Sequence, residues 1–257
     1  LLNWDGDAKT DILVRASDRA YVVLGKNLVI NGTLSITSVT SITTIARTGS
    51  TNFAAAPTVV GDVNGDGLDD ALFVDTDQLA VQLGYLFLGR TSVPASPLTL
   101  NAPNATFDVG SFNVPESGAP LGNLKAGVVG DLNHDGYDDS LLSRTIELDA
   151  PGSGSLYVFL GSANFSVSTA RSLSRVDAAL RVIRQVGAEF GDTVSISGEL
   201  TATSGGFDGD RRLDLAIGEK SRFGIGPGFT FLDARPRGAV YLFRDIAALL
   251  SGAPVTL

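Results

Sequence analysis

Short apolar runs broken by Gly, Asp, Asn and Ser set the rhythm of this chain. The clearest are "AYVVLG" (Ala20 to Gly25), "GYLFLG" (Gly84 to Gly89), "LYVFLG" (Leu156 to Gly161) and "VYLFRD" (Val240 to Asp245). Runs of this length between turn formers predict strands. "SVTSITTIA" alternates with period two, as a half-buried strand does, and "ATFDVGSF" and "LRVIRQV" predict a more variable strand closing each unit. Helical candidates are confined to "SRVDAALRVI" and "RDIAALL", and a strand reading fits both. No apolar run reaches the roughly eighteen residues of a membrane-spanning helix.

Between the strands lies a repeated acidic hairpin loop. "VVGDVNGDGLDDAL" and "VVGDLNHDGYDDSL", starting at Val59 and Val128, share most of their positions, and "NWDGDAKTDILV" (from Asn3) and "FDGDRRLDLAIG" (from Phe207) are weaker relatives. The last aspartates, Asp11, Asp70, Asp139 and Asp214, mark four units, approximately 1–53, 54–121, 122–187 and 188–257. Each unit reads as a strand entering the loop, a strand leaving it, the aromatic strand and a fourth strand. Four strands per unit in tandem is the pattern of propeller blades. The expected fold is therefore all-β: a β-propeller of four-stranded blades. The first and last units look incomplete, so the expectation is a section of a larger propeller, for example a seven-bladed one.

A nine-position frame shows what the loops offer. Loop two places Asp62, Asn64, Asp66 and Asp70 at positions 1, 3, 5 and 9, with the carbonyl of Leu68 at position 7. Loop three repeats this with Asp131, Asn133, Asp135, Asp139 and the carbonyl of Tyr137. Carboxylates gathered this closely repel one another unless a cation neutralises them. Ca²⁺ accepts six to eight mixed oxygen ligands in irregular geometry, whereas Mg²⁺ demands a stricter octahedron and zinc favours His or Cys. An EF-hand is excluded, because its twelfth position needs a carboxylate and here holds Phe73 and Leu142. Loop one supplies Asn3, Asp5, Asp7, the Lys9 carbonyl and Asp11, but has Ala8 where glycine is expected, so a positive φ there would carry strain. Loop four supplies Asp208, Asp210, the Arg212 carbonyl and Asp214, with Gly206 in first position and Arg211 and Arg212 close by. Glu199, in an "SGEL" that echoes "VGDV", is the candidate for its missing carboxylate, across a six-residue insertion.

These loops resemble those of the FG-GAP (integrin α-subunit-like) repeat. "EFGDTVSISGEL" carries a Phe-Gly element, "LDLAIGEKSRFG" stands where Gly-Ala-Pro would be, and "GAVYLF" matches the following strand. The resemblance implies a propeller with calcium in hairpin loops on one face. It carries over Asp62, Asn64, Asp66, Leu68 and Asp70, and Asp131, Asn133, Asp135, Tyr137 and Asp139, as ligands. It carries over no integrin ligand site, whose residues have no match here.

Composition narrows the function. The formal charge of −9 argues against nucleic acid, and 14 of the 28 acidic residues sit in the four loop windows, so the acidity is local. With no cysteine, disulfides and thiolate chemistry are excluded. The single histidine, His134, occupies a non-ligand loop position, no nucleophile motif accompanies it, and Trp4 reads as packing. A non-enzymatic role is expected: an extracellular or cell-surface propeller, stabilised by two to four Ca²⁺, that binds a protein partner or another copy of itself. The alternative is a carbohydrate-binding or accessory module of a larger secreted enzyme. Its repeated sugar pockets would need exposed aromatic residues, whereas the shared tyrosines sit inside apolar strands.

Overall fold

A computed structural model of the chain describes residues 1–28, 35, 36, 39, 42–47, 56–74, 83–110, 124–144, 155–183, 199–205, 213–220, 238–244, 246–250 and 254–256. Strands dominate it, and the chain is all-β. In chain order the strands are β1 (Ile12–Arg15), β2 (Arg19–Val23), β3 (Ile42–Ala46), β4 (Ala56–Gly61), β5 (Asp70–Val74), β6 (Gly84–Phe87), β7 (Leu98–Thr99) and β8 (Ala105–Asp108). There follow β9 (Leu124–Gly130), β10 (Asp139–Arg144), β11 (Ser155–Phe159), β12 (Arg171–Ser174), β13 (Leu180–Ile183), β14 (Glu199–Gly205), β15 (Asp214–Lys220), β16 (Gly238–Phe243) and β17 (Pro254–Thr256).

They form four sheets, in the orders β1-β2-β3-β7, β4-β5-β6-β8-β12, β9-β10-β11-β13-β17 and β14-β15-β16. Within a unit every pairing is antiparallel, as short hairpin connections require. The four-strand expectation needs one addition. The outermost strands β7, β12 and β17 pair in parallel with β3, β8 and β13, and each comes from the following unit. A later stretch thus covers an edge that would otherwise present unpaired N–H and C=O groups. The two helical candidates are single 3₁₀ turns, Arg175–Asp177 and Ile246–Leu249, the first leading directly into β13.

The apolar runs are explained by how the sheets stack. In β5, Ala71 and Phe73 pack with Trp4, Val22 and Ile45 toward the first sheet. Their alternate neighbours Leu72 and Val74 pack with Leu142, Tyr157 and Phe159 toward the third. In β11, Leu156 and Val158 face the other way, with Leu215, Ile217 and Ile246. Because side chains alternate between faces, a strand covered on both sides must be apolar throughout. By contrast β3 alternates half-buried and buried residues, as its period-two pattern predicts. The entering strands β4, β9 and β14 lie side by side, and the loops after β4 and β9 are neighbours.

Candidate metal centre

Each acidic loop joins an entering strand to a leaving one with fixed register. Gly61 pairs with Asp70 and Gly130 with Asp139, and a bulge sits just before each loop, at Val60 and Val129. The chain then turns through left-handed backbone, at Gly65 (φ +75°) and Gly67 (φ +84°) in loop two, and at His134 (φ +61°) and Gly136 (φ +91°) in loop three. Loop one turns at Gly6 (φ +76°) and Ala8 (φ +63°), so the strain anticipated at Ala8 is present.

Short acid and amide side chains hold the turn by accepting backbone N–H groups. Asp62 accepts Gly65 N (2.7 Å), Asp66 N (3.0 Å) and Gly67 N (2.7 Å). Asp131 accepts Asp135 N and Gly136 N at 3.1 and 2.9 Å. At position 5, Asp7, Asp66 and Asp135 each accept the N–H of the position-7 residue, Lys9, Leu68 and Tyr137, at 3.0 Å. Positions 3 and 5 meet side by side, through Asn64 Nδ2 donating to Asp66 (3.0 Å) and Asn133 Nδ2 to Asp135 (2.9 Å).

The ninth aspartate plays a part beyond the one its sequence position suggests. Asp11, Asp70 and Asp139 are fully buried, and each uses one oxygen for the position-2 N–H of its own loop and the other for the N–H of a glycine just after the aromatic strand. The donors are Trp4 and Gly25, Val63 and Gly89, and Leu132 and Gly161, all at 2.7–2.9 Å. Burial pushes the Asp70 carboxyl up to about 8 against the pull of its two N–H donors, and Asp66 and Asp62 add to the rise. Burial likewise raises Asp139 to about 7, with Asp135 and Asp131 adding to it.

Among the described residues, the three acidic side chains whose oxygens lie within 4.8 Å of one another are Asp5, Asp7 and Asp11 of loop one. This cluster already receives a cation from the chain: Lys26 Nζ stands 2.6 Å from Asp5 Oδ2. In loops two and three the first aspartate is turned onto the loop's own N–H groups, and the three acids are not gathered so closely. The donors in all three loops are oxygens only, a set that fits a hard cation such as Ca²⁺. Bound there, calcium would supply the charge that offsets the carboxylates. The Lys26 ammonium in loop one is a stand-in of the same sign.

Loop four is only partly described, since Asp208, Asp210 and Arg212 fall outside the described residues. Asp214 is buried like its three counterparts. Gly205 pairs with Asp214 in the register of the other loops, and Glu199 pairs with Lys220 at the far end of the hairpin. Six residues of strand put Glu199 about 20 Å from the loop. It cannot supply the first-position carboxylate, and the inferred insertion is in fact a regular strand. The Phe-Gly element lies outside the described residues except for Glu199 and Leu200. His134 is exposed, and Trp4 is buried in the core, as expected for a loop residue and a packing residue.

Residues 3–80, which include loops one and two, match the family model of the FG-GAP-like repeat. Over those residues the chain carries an FG-GAP-like repeat. No curated protein matches it. The FG-GAP match spans two successive acidic loops and the strands between them. No helix among the described residues is long and apolar enough to cross a membrane. Sequence reading missed three groups of residues at these loops: Lys26, the eighth-position aspartates Asp69 and Asp138, and the glycines Gly25, Gly89 and Gly161. The glycines had a signal, because one follows each of the first three aromatic strands.

Proposed function

We propose that this chain is a calcium-stabilised β-propeller module that works outside the cell in adhesion, interaction or assembly. The observation that carries it is the recurrence of one oxygen-lined hairpin loop at the same end of successive stacked sheets, with the same ninth-position brace each time. Stacked four-stranded units with adjacent entering strands support the propeller reading. The ligands would be the oxygens at positions 1, 3, 5, 7 and 9: Asp62, Asn64, Asp66, Leu68 and Asp70, and Asp131, Asn133, Asp135, Tyr137 and Asp139. Loop one offers Asn3, Asp5, Asp7, Lys9 and Asp11, and loop four Asp208, Asp210, Arg212 and Asp214. The partner would be a protein or a second copy. Of the shared tyrosines, Tyr157 is fully buried and Tyr85 packs against a core cluster, which weighs against a sugar pocket built on them.

Metal that binds only the folded state raises its stability, by about 2.7 kcal/mol for one site at a free concentration 100-fold above Kd. Thermal melting with calcium and with chelator tests the reading. Calcium should raise the midpoint and protect the loops from protease. Identical melting in both conditions sinks it.

A further inference from the structure

Successive loops are joined to one another by the same set of bonds, used twice. Asp138 N donates to the carbonyl of Asp62 (2.9 Å), and the Asp138 carboxylate accepts Asp62 N (2.9 Å). One unit earlier, Asp69 N donates to the carbonyl of Asn3 (2.9 Å), and the Asp69 carboxylate accepts Asn3 N (2.6 Å). In both pairs the eighth residue of one loop grips both backbone groups of the first residue of the loop before it. A third bond follows each time, from Ser162 N to the Val63 carbonyl (2.8 Å) and from Arg90 N to the Trp4 carbonyl (2.9 Å). Side chains repeat the contact. Tyr137 sits against Gly65, where an added Cβ would lie 2.6 Å from its ring, and Leu68 sits against Gly6, at 3.0 Å.

The gripped residue is the one that organises its own loop, since Asp62 accepts three of loop two's N–H groups and Asn3 accepts Gly6 N. Room for the grip is reserved in the backbone. Gly61 has φ +85°, and a Cβ there would overlap the Asp138 carboxylate. At the next join the eighth position is Leu213, whose Cδ1 stands 3.3 Å from where a Gly130 Cβ would be, and a leucine cannot accept an N–H.

We propose that Asp69 and Asp138 are coupling residues, each fixing the first position of the preceding loop, so that the loops order as a linked series. The grip uses only protein groups and does not depend on the calcium reading.

Hydrogen exchange on the whole chain tests this, with Asp138→Leu, which copies the natural residue of the next join. Amides of residues 62–68 should exchange about tenfold faster than in the unsubstituted chain, while those of 131–137 change little. Asp138→Asn, which keeps an acceptor oxygen, should stay within about twofold. Asp69→Leu is the independent second variant and should release residues 3–9 alone. Release confined to the substituted loop, equal release of both loops, or no release in either leucine variant overturns the proposal. The unsubstituted chain with and without calcium reports separately on metal binding.

Discussion

Lys26 and Asp5 form an ion pair at 2.6 Å, across a carboxylate that is almost fully buried and a lysine that is partly exposed. Asp5 first, then burial in the opposite sense, then the charges of Asp5, Asp7 and Asp11 set the Lys26 ammonium, whose pKa is raised on balance. Loops two and three have no such lysine, since Arg90 follows Gly89 and turns to Leu88 and Asn104, and Ser162 follows Gly161. Lys26→Gln should therefore lower the melting midpoint in chelator and enlarge the rise that calcium produces. Differential scanning fluorimetry reads both numbers, and an unchanged calcium response would mean that Lys26 does not stand in for the ion.

Ala8 holds φ +63° where its counterparts in loops two and three are Gly67 and Gly136. An L-residue in left-handed backbone costs about 1–2 kcal/mol, and glycine gives back part of that through unfolded-chain entropy. Ala8→Gly should stabilise the chain by about 0.5–1 kcal/mol. Urea unfolding measures it through the midpoint, and a neutral or destabilising result would contradict the strain argument.

Ala8 also marks how far sequence could reach. The nine-position frame predicted the left-handed turn at position six, because glycine recurs there, and alternation predicted the half-buried strand at Ile42–Ala46. Local chemistry and period are enough for both. Glu199 shows the limit: "SGEL" echoes "VGDV", but strand register places the residue at the opposite end of the hairpin. Asp69, Asp138 and Lys26 were invisible for a related reason. Their partners Asn3, Asp62 and Asp5 lie 66, 76 and 21 residues away in the chain, and no local pattern encodes such a pairing. The ninth aspartates were legible as repeated frame positions within the chain, but their bonds to the glycines that follow the aromatic strands were not.

Gly161 lies in a space that admits no side chain. A Cβ would overlap the Asp138 carbonyl and come within 2.6 Å of Tyr137 Cβ and 2.9 Å of the Val63 carbonyl. Gly89 is crowded in the same way by Leu68 Cβ (2.6 Å), the Asp69 carbonyl (2.8 Å) and the Trp4 carbonyl (3.1 Å). Two of the three neighbours are backbone in each unit's version of the Gly89 contact, so relief requires moving a loop. Gly161→Ala should cost about 1–3 kcal/mol, as overpacking does, and Gly89→Ala a similar amount. Equilibrium denaturation that finds either variant as stable as the parent would show that the loops yield easily.

Asp139 tests whether the ninth position acts as a brace as well as a candidate ligand. Its two oxygens accept Leu132 N and Gly161 N, both at 2.9 Å, in a fully buried setting. Asparagine has nearly the same shape but offers one oxygen and one N–H₂, so one buried backbone donor would face another donor. Leaving such a group unpaired costs about 1–3 kcal/mol. Asp139→Asn should therefore destabilise the chain by that amount even in chelator, where a ligand role alone would contribute nothing. The same change at the exposed Asp135 keeps an oxygen for Tyr137 N and loses only the solvent-exposed bond from Asn133 Nδ2, so it should cost less than about 1 kcal/mol in chelator. If the two substitutions prove equal without metal, the bracing bonds are not what holds the loop to its sheet.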